Sequence, residues 1–417
     1  MNVVGCGHKP LNVIQTSLCC KLFRRREHHM KRLGIVFLML LNVFIGFGII
    51  IPVLPELVSP YHLSLMLSGY SLVSFIMSPI WGMWSDNFGR RPIILIGIAG
   101  YAVSFFLFGI AQDLWLMYAS RLLSGLFSGA VIACTVAYVA DVTDEEHRTK
   151  GMGLVGMAIG LGFVIGPGIG AALSLLGYSV PFFASSLLAL LTFALAIAYL
   201  KESLSEEERA ARKVAREAEG KMSRWAAFKG AMKYLYVLSF IVSFTLSGLE
   251  FALYYYQAEK IGINPFDMGM MFMVSGTIGA PVQGGVVRRY IKKGDEPKFI
   301  TLGLVLSAGG FFLLIFSSSF LTATLYLTVF SAGNALVRPC VTSLITQKTT
   351  VGLGTASGLS SSMDSLGRIT GPLFAMAAFY LAIELPFLLG GLICLGGLLL
   401  LLRFLAVDRR SGMPKHA

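Results

Sequence analysis

Gly162-Phe163-Val164-Ile165-Gly166-Pro167 recurs as Gly367-Arg368-Ile369-Thr370-Gly371-Pro372, and each copy sits inside a long apolar run. Both spell Gly-x-x-x-Gly-Pro. Small residues four apart let two helix backbones approach closely, and proline bends a helix by removing an amide donor. A single copy needs no meaning beyond packing. Two copies at matching places in the two halves of the chain point to a duplicated unit.

Outward from these motifs, apolar stretches long enough to cross roughly 30 Å of hydrocarbon recur along the whole chain. They lie at 33–55, 64–84, 93–111, 114–139, 151–175 and 179–200, then at 234–256, 268–287, 299–318, 320–345, 356–382 and 385–405. The motif falls on the fifth stretch of each set. The expected fold is an all-α polytopic membrane protein of 12 transmembrane helices in two pseudo-symmetric six-helix halves, 33–200 and 234–406. A tail at 1–32, a linker at 201–233 and a tail at 407–417 complete the chain, and Met30 offers an alternative start. Ser205 and Glu208 have the spacing of a capping box, so the linker is expected to carry a charged helix.

Composition agrees, with 55% hydrophobic and 13% charged residues, where soluble domains carry about a quarter charged. The net charge of +12 raises the question of nucleic acid, and its placement answers it. With the N-terminal tail in the cytoplasm, roughly 30 of the 34 Lys and Arg fall on cytoplasmic segments and only Lys260 falls outside. That bias puts both termini in the cytoplasm and leaves no basic face for a nucleic-acid partner. The six cysteines follow no metal-ligand spacing, and the six histidines all lie outside the spans. Neither a metal centre nor a membrane-embedded enzyme is expected. Gly151-Met152-Gly153-Leu154-Val155-Gly156 spells a dinucleotide fingerprint, but it opens a membrane span and follows no strand.

After the second span comes Gly82-Met83-Trp84-Ser85-Asp86-Asn87-Phe88-Gly89-Arg90-Arg91-Pro92. This resembles the loop signature of the major facilitator superfamily. The turn runs through Gly89, and Asp86 is placed to cap a helix N-terminus. At the same place in the second half Gly284 is followed by Arg288, and the acid is lost. Arg121-Leu122-Leu123-Ser124-Gly125 resembles the family's second motif, and Gly162 to Gly170, with Gly166 and Pro167, resembles its antiporter motif. Phe47 to Pro55 and Ala140-Asp141-Val142-Thr143 are similar to segments of the twelve-helix drug:proton antiporter branch, nearest to Gram-positive multidrug, quinolone and tetracycline efflux transporters.

The resemblance implies a cytoplasmic latch of Gly82, Asp86, Gly89, Arg90, Arg91 and Asp141, and proton coupling through Arg121. It likens Ser247-Gly248-Leu249-Glu250 and Val337-Arg338-Pro339 to central-cavity residues. The branch has an acid three residues before the tenth-span Arg, where this chain has Ala335. Asp364 and Arg368, four residues apart on the eleventh span, either neutralise each other or supply that second carboxylate.

Ionisable residues at mid-bilayer cost at least about 2.5–3.5 kcal/mol each, so Arg121, Glu250, Arg338, Asp364 and Arg368 need partners or a shared cavity. Glu250 has no cation within four residues along its helix. Glu250, Arg121 and Asp364 are therefore the expected proton-coupling residues, with proton and cationic drug competing for Glu250. Asn42, Phe47, Phe251, Tyr254, Asn334 and Arg338 are expected to line the substrate cavity. The function expected is proton-coupled efflux, by antiport, of amphipathic drugs or toxic small molecules across the inner (plasma) membrane. The alternative is export of one specific metabolite, sugar or lipid on the same fold. The partners are the small-molecule substrate, protons and membrane lipid; the protein is expected to be a monomer with no cofactor.

Overall fold

The computed structural model describes residues 13–143, 145–210, 228, 230–282, 294–349 and 353–410. Twelve long helices follow one another among them. The first six are α1 (Val13–Leu57), α2 (Pro60–Phe88), α3 (Arg90–Ile110), α4 (Leu114–Val142), α5 (Glu145–Ser174) and α6 (Val180–Tyr199). The second six are α7 (Met232–Ile261), α8 (Pro265–Pro281), α9 (Glu296–Ile315), α10 (Phe320–Lys348), α11 (Leu353–Leu381) and α12 (Leu385–Arg410).

Ten of them are apolar enough over 18 residues to cross a membrane. The two others are informative. The described part of α8 has only 17 residues, and α11 is diluted by Ser360, Ser361, Ser362, Asp364 and Arg368. Gly284 and Arg288 lie outside the described residues, as does most of the linker. Its start is described, and there the capping box forms: Ser205 N donates to Glu208 Oε2 at 2.8 Å and Glu208 N to Ser205 Oγ at 3.2 Å.

Local chemistry sets the helix boundaries. Asp113 caps α4 by accepting from Leu116 N at 2.8 Å, and Asn264 with Asp267 forms a reciprocal cap on α8. Gly262, with φ of 68°, ends α7 in the left-handed conformation. The helices run a turn or so beyond several apolar stretches, as at Pro60 and Phe88 of α2. Hydropathy marks the lipid-facing middle, and the backbone continues past it.

The packing repeats between halves. α1 lies along α5 as α7 lies along α11; α3 on α4 matches α9 on α10, and α3 on α6 matches α9 on α12. The two most extensive contacts between the halves, α5 with α8 and α2 with α11, are also symmetry mates. Large uncovered side chains such as Phe106, Leu191, Leu325 and Leu402 form an apolar outer surface suited to lipid.

The repeated motif explains the first of these packings. A Cβ on Gly166 would stand 2.7 Å from the Ile45 carbonyl oxygen and 2.9 Å from Gly48 Cα, and one on Gly170 2.7 Å from the Ile49 oxygen. In the second half, a Cβ on Gly367 would stand 2.7 Å from the Phe240 oxygen, and Gly371 abuts Phe244 and Gly248. Phe44 and Gly48 on α1 thus correspond to Phe244 and Gly248 on α7. The backbones touch, and nothing larger than hydrogen fits.

Gly166→Val is expected to lower thermal stability by about 1–3 kcal/mol or more, because a backbone carbonyl cannot move aside as a side chain can. Gly156→Ala, whose Cβ meets nothing within 4 Å, should change stability by no more than about 0.5 kcal/mol. Thermal unfolding of the two purified variants in detergent checks the contrast.

Candidate functional site

The corresponding register of α1 and α7 makes Glu250 the counterpart of Ile50, and both line one pocket. Its walls are Phe47, Ile50, Ile51 and Pro55 from α1, Leu63 and Leu67 from α2, Arg121 from α4 and Glu250 from α7, around about 330 Å³ of empty space. That figure includes space open to solvent; the enclosed cavity is about 10 Å³, room for roughly one water. The pocket lies between the halves, since α7 belongs to one and α1, α2 and α4 to the other.

Arg121 is 2% exposed, and its Nε and Nη2 have no hydrogen-bond partner. Its guanidinium instead stands 4.7 Å from the ring centre of Tyr70, a cation–π arrangement. Glu250 makes no hydrogen bond or ion pair with any described residue, and the cations acting on it are Arg368 and Arg338. Arg368 stands 5.9 Å from the ring centres of both Phe47 and Phe163. Phe47 in turn packs edge-on to Phe163 at 5.4 Å and tilted to Tyr70 at 5.7 Å.

The i,i+4 neutralisation of Asp364 by Arg368 is not what the structure contains. Asp364 accepts from Ser243 Oγ of α7 at 3.0 Å and meets Arg338 of α10 at 3.5 Å. Helical proximity along α11 yields to contacts with the neighbouring helices, and Arg368 is left facing aromatic rings. A carboxylate on α11, Asp364, thus reaches the tenth-span arginine.

Of the six residues expected to line the cavity, Phe47 is on the pocket wall and the other five, Arg338 with its Asp364 contact among them, lie elsewhere. Asn42 is 4% exposed and donates to Thr192 of α6 at 2.9 Å, a tie within the first half. Phe251 is fully buried and packs on Tyr255 at 5.9 Å. Tyr254 donates from its hydroxyl to the carboxylate of Glu56, and Tyr255 donates to the Val58 carbonyl oxygen at 2.8 Å. These bonds fasten the end of α7 to the end of α1 beyond the pocket. An aromatic residue near a cavity charge carries no sequence signal for which way it turns. Asn334 is half-buried on α10 and is not part of the pocket wall.

At the other end of the bundle the latch residues come together. Arg90, 4% exposed, pairs with Asp86 at 2.7 Å and with Asp141 at 3.0 Å, and also donates to Ser85. Asp86 does not cap α3. Glu202, just after α6, does so, accepting from Arg90 N at 2.8 Å and Arg91 N at 3.0 Å. The chain turns at Gly89 with φ of 104°, where a side chain would be strained and would meet the Glu202 carboxylate. Gly82 has open space at its Cβ position and accepts from Ser85 Oγ through its carbonyl. The Arg91 guanidinium donates to the Ile197 carbonyl oxygen at 2.9 Å. Sequence reasoning missed Glu202 because it lies 112 residues from its partner and in no motif.

Residues 36–372 match the Major Facilitator Superfamily. Multidrug resistance protein 2 of Bacillus subtilis is 32% identical over 377 residues, covering 87% of this chain and 93% of the relative. Quinolone resistance protein NorA of Staphylococcus aureus is 27% identical, covering 89% and 96%. The crystal structure of the human organic anion transporter MFSD10 (TETRAN) superposes with a TM-score of 0.68 at 27% identity, covering 89% of this chain and 99% of that one. With twelve helices in matched halves and these relatives over most of its length, the chain belongs to the Major Facilitator Superfamily.

Proposed function

We propose that this protein exports amphipathic small molecules from the cytoplasm across the plasma membrane in exchange for protons. The observation that carries the reading is one pocket between matched halves holding both a carboxylate and a guanidinium without direct partners, Glu250 and Arg121. A carboxylate there can hold either a proton or a ligand's cationic group. Either occupant removes the net charge that opposes closure around it. Arg368 and Arg338, the cations acting on Glu250, set how readily the proton leaves, Arg121 shares the pocket wall with it, and the Asp364–Arg338 pair, 3.5 Å apart, supplies a second carboxylate. The relatives named for multidrug and quinolone resistance support drugs as the cargo.

With both termini in the cytoplasm, the Tyr254–Glu56 and Tyr255–Val58 bonds lie on the outer side, so this is a state closed to the outside. The Asp86–Arg90–Asp141 latch then lies on the inner side within one half, where it stiffens the end of the bundle that must rock. The proton gradient is the energy source and no cofactor or catalytic step enters. Each monomer holds a complete pocket between its own halves, embedded in lipid.

Three outcomes test this reading. Ethidium and quinolone efflux from intact cells should stop when an uncoupler collapses the gradient; efflux persisting at full rate would rule out antiport. Glu250→Gln should abolish gradient-driven efflux while the protein remains in the membrane, and wild-type transport by that variant would remove Glu250 from the coupling role. Arg90→Ala should reduce efflux at least about tenfold, since truncating one member of a buried charge network costs about 3–5 kcal/mol; vesicle transport normalised to membrane protein measures it.

A further inference from the structure

The two halves fasten α3 and α9 by opposite chemistry. Arg90 opens α3 and Glu296 opens α9; Asp141 is the next-to-last residue of α4 and Gln347 the next-to-last of α10. The packing shows the same correspondence. Gly97, eighth in α3, abuts Val131 of α4, and Gly303, eighth in α9, abuts Val337 of α10. The turns before the two helices also match, with φ of 104° at Gly89 and 101° at Gly294. Only the charges are reversed: Gly89-Arg90-Arg91-Pro92 in the first half stands against Gly294-Asp295-Glu296-Pro297 in the second.

A side-chain bond spans the same two positions in each half. Arg90 donates to Asp141 at 3.0 Å, whereas Glu296 accepts from Gln347 Nε2 at 2.6 Å. Glu296 is 3% exposed, and its carboxylate also accepts from Ser343 Oγ of α10 at 3.2 Å and from Gly294 N at 2.7 Å. Donor and acceptor have exchanged helices, and the tie has kept its place. Bonds to an ionised group contribute more than neutral ones, so a buried carboxylate with three donors is a firm anchor. α10 has particular need of it. Pro339 lies inside α10 and removes the amide that would bond the Ala335 carbonyl, so the arm from Cys340 to Lys348 is not kept in line by an unbroken backbone ladder. α4 contains no proline. Arg338 stands at that break and meets Asp364 of α11 at 3.5 Å. Another tie on the arm, Lys348 to Asp408 at 2.8 Å, joins partly exposed side chains, where an ion pair adds little.

We infer that Glu296 is a positioning residue for transport: by anchoring the inner arm of α10 to α9, it holds Arg338, at the Pro339 break, against Asp364. The transport role rests on the export reading; the anchor itself does not. Glu296 is no part of the pocket wall. A loosened arm lets Arg338 drift from Asp364 and slows the rocking of the second half, while the affinity of the pocket for its ligand is kept.

The test exchanges the partners. Gln347→Glu sets two carboxylates against each other, and adding Glu296→Gln restores one carboxylate and one amide with their helices swapped. In everted vesicles with an imposed proton gradient, Gln347→Glu is expected to lower the maximal rate of ethidium uptake roughly fivefold or more, the scale of one net hydrogen bond, with KM changed less than about twofold. The double variant should recover at least about half of the wild-type rate. Hydrogen exchange of the purified full-length protein in lipid nanodiscs, without a gradient, reads the anchor directly. Amides of 340–348 should exchange roughly fivefold or more faster in Gln347→Glu and return toward wild type in the double variant. Unchanged exchange there, a defect carried by KM instead of rate, or a rate that stays low when exchange has recovered overturns the inference. Should Gln347→Glu fail to fold, Glu296→Gln alone is measured in the same way, and exchange equal to wild type overturns it. A protein whose exchange follows the pair, yet whose wild-type form moves no ethidium, sinks the export reading and leaves the anchor standing.

Discussion

Backbone-to-backbone contact along two glycine-lined seams is the constraint from which the rest of the architecture follows. In lipid there is little hydrophobic gain from bringing two apolar helices together, so close approach and dispersion must hold them. α1 on α5 and α7 on α11 achieve this because Gly166, Gly170, Gly367 and Gly371 admit no side chain. The seams fix the register of α1 and α7 within their halves. That register brings Ile50 and Glu250, counterparts in the two repeats, to one pocket, and so determines where the single carboxylate of its wall stands.

The second constraint is electrostatic. Charges in a bilayer interior persist when they are paired, hydrogen-bonded or turned toward a polar opening. Two of these solutions occur here, with a third arrangement beside them. Asp364 is bonded to Ser243 and Arg338, Arg90 is held by two aspartates near one end, and Arg121 rests on the face of Tyr70 with donors to spare. Stability is served by the first two arrangements. The third, an ion left incompletely satisfied, is where binding free energy can be gathered from a ligand.

Features carried by local pattern could be read from the sequence. The helices, their number, the duplicated motif and the Ser205–Glu208 cap all depend on residues within a few positions of each other. The latch was legible because its acid and base stand in a short motif, Asp86 to Arg90, although the third member, Asp141, sits 51 residues from Arg90. What local pattern misassigned were contacts between helices distant in sequence. Asp364 and Arg368 are neighbours on one helix, yet Asp364 turns to Arg338 across a helix boundary. Asn42 finds Thr192, 150 residues away, and Tyr254 finds Glu56, 198 residues away. Helical spacing gives the face on which a side chain starts, and a long side chain's rotamer then depends on which neighbour the fold brings near.

The first turn of the connector gives the duplicated unit an asymmetry. Glu202 grips the start of α3, Ser203 reaches Asp141 at 3.4 Å, and Tyr138 donates to the Lys201 carbonyl oxygen at 3.0 Å. The clasp is thus made wholly from the first repeat and the residues that follow it. Four of the five charges in the middle of the spans belong to the second repeat: Glu250, Arg338, Asp364 and Arg368. Among the described residues, then, the arginine–aspartate clasp belongs to the first repeat and most of the charges in the spans to the second.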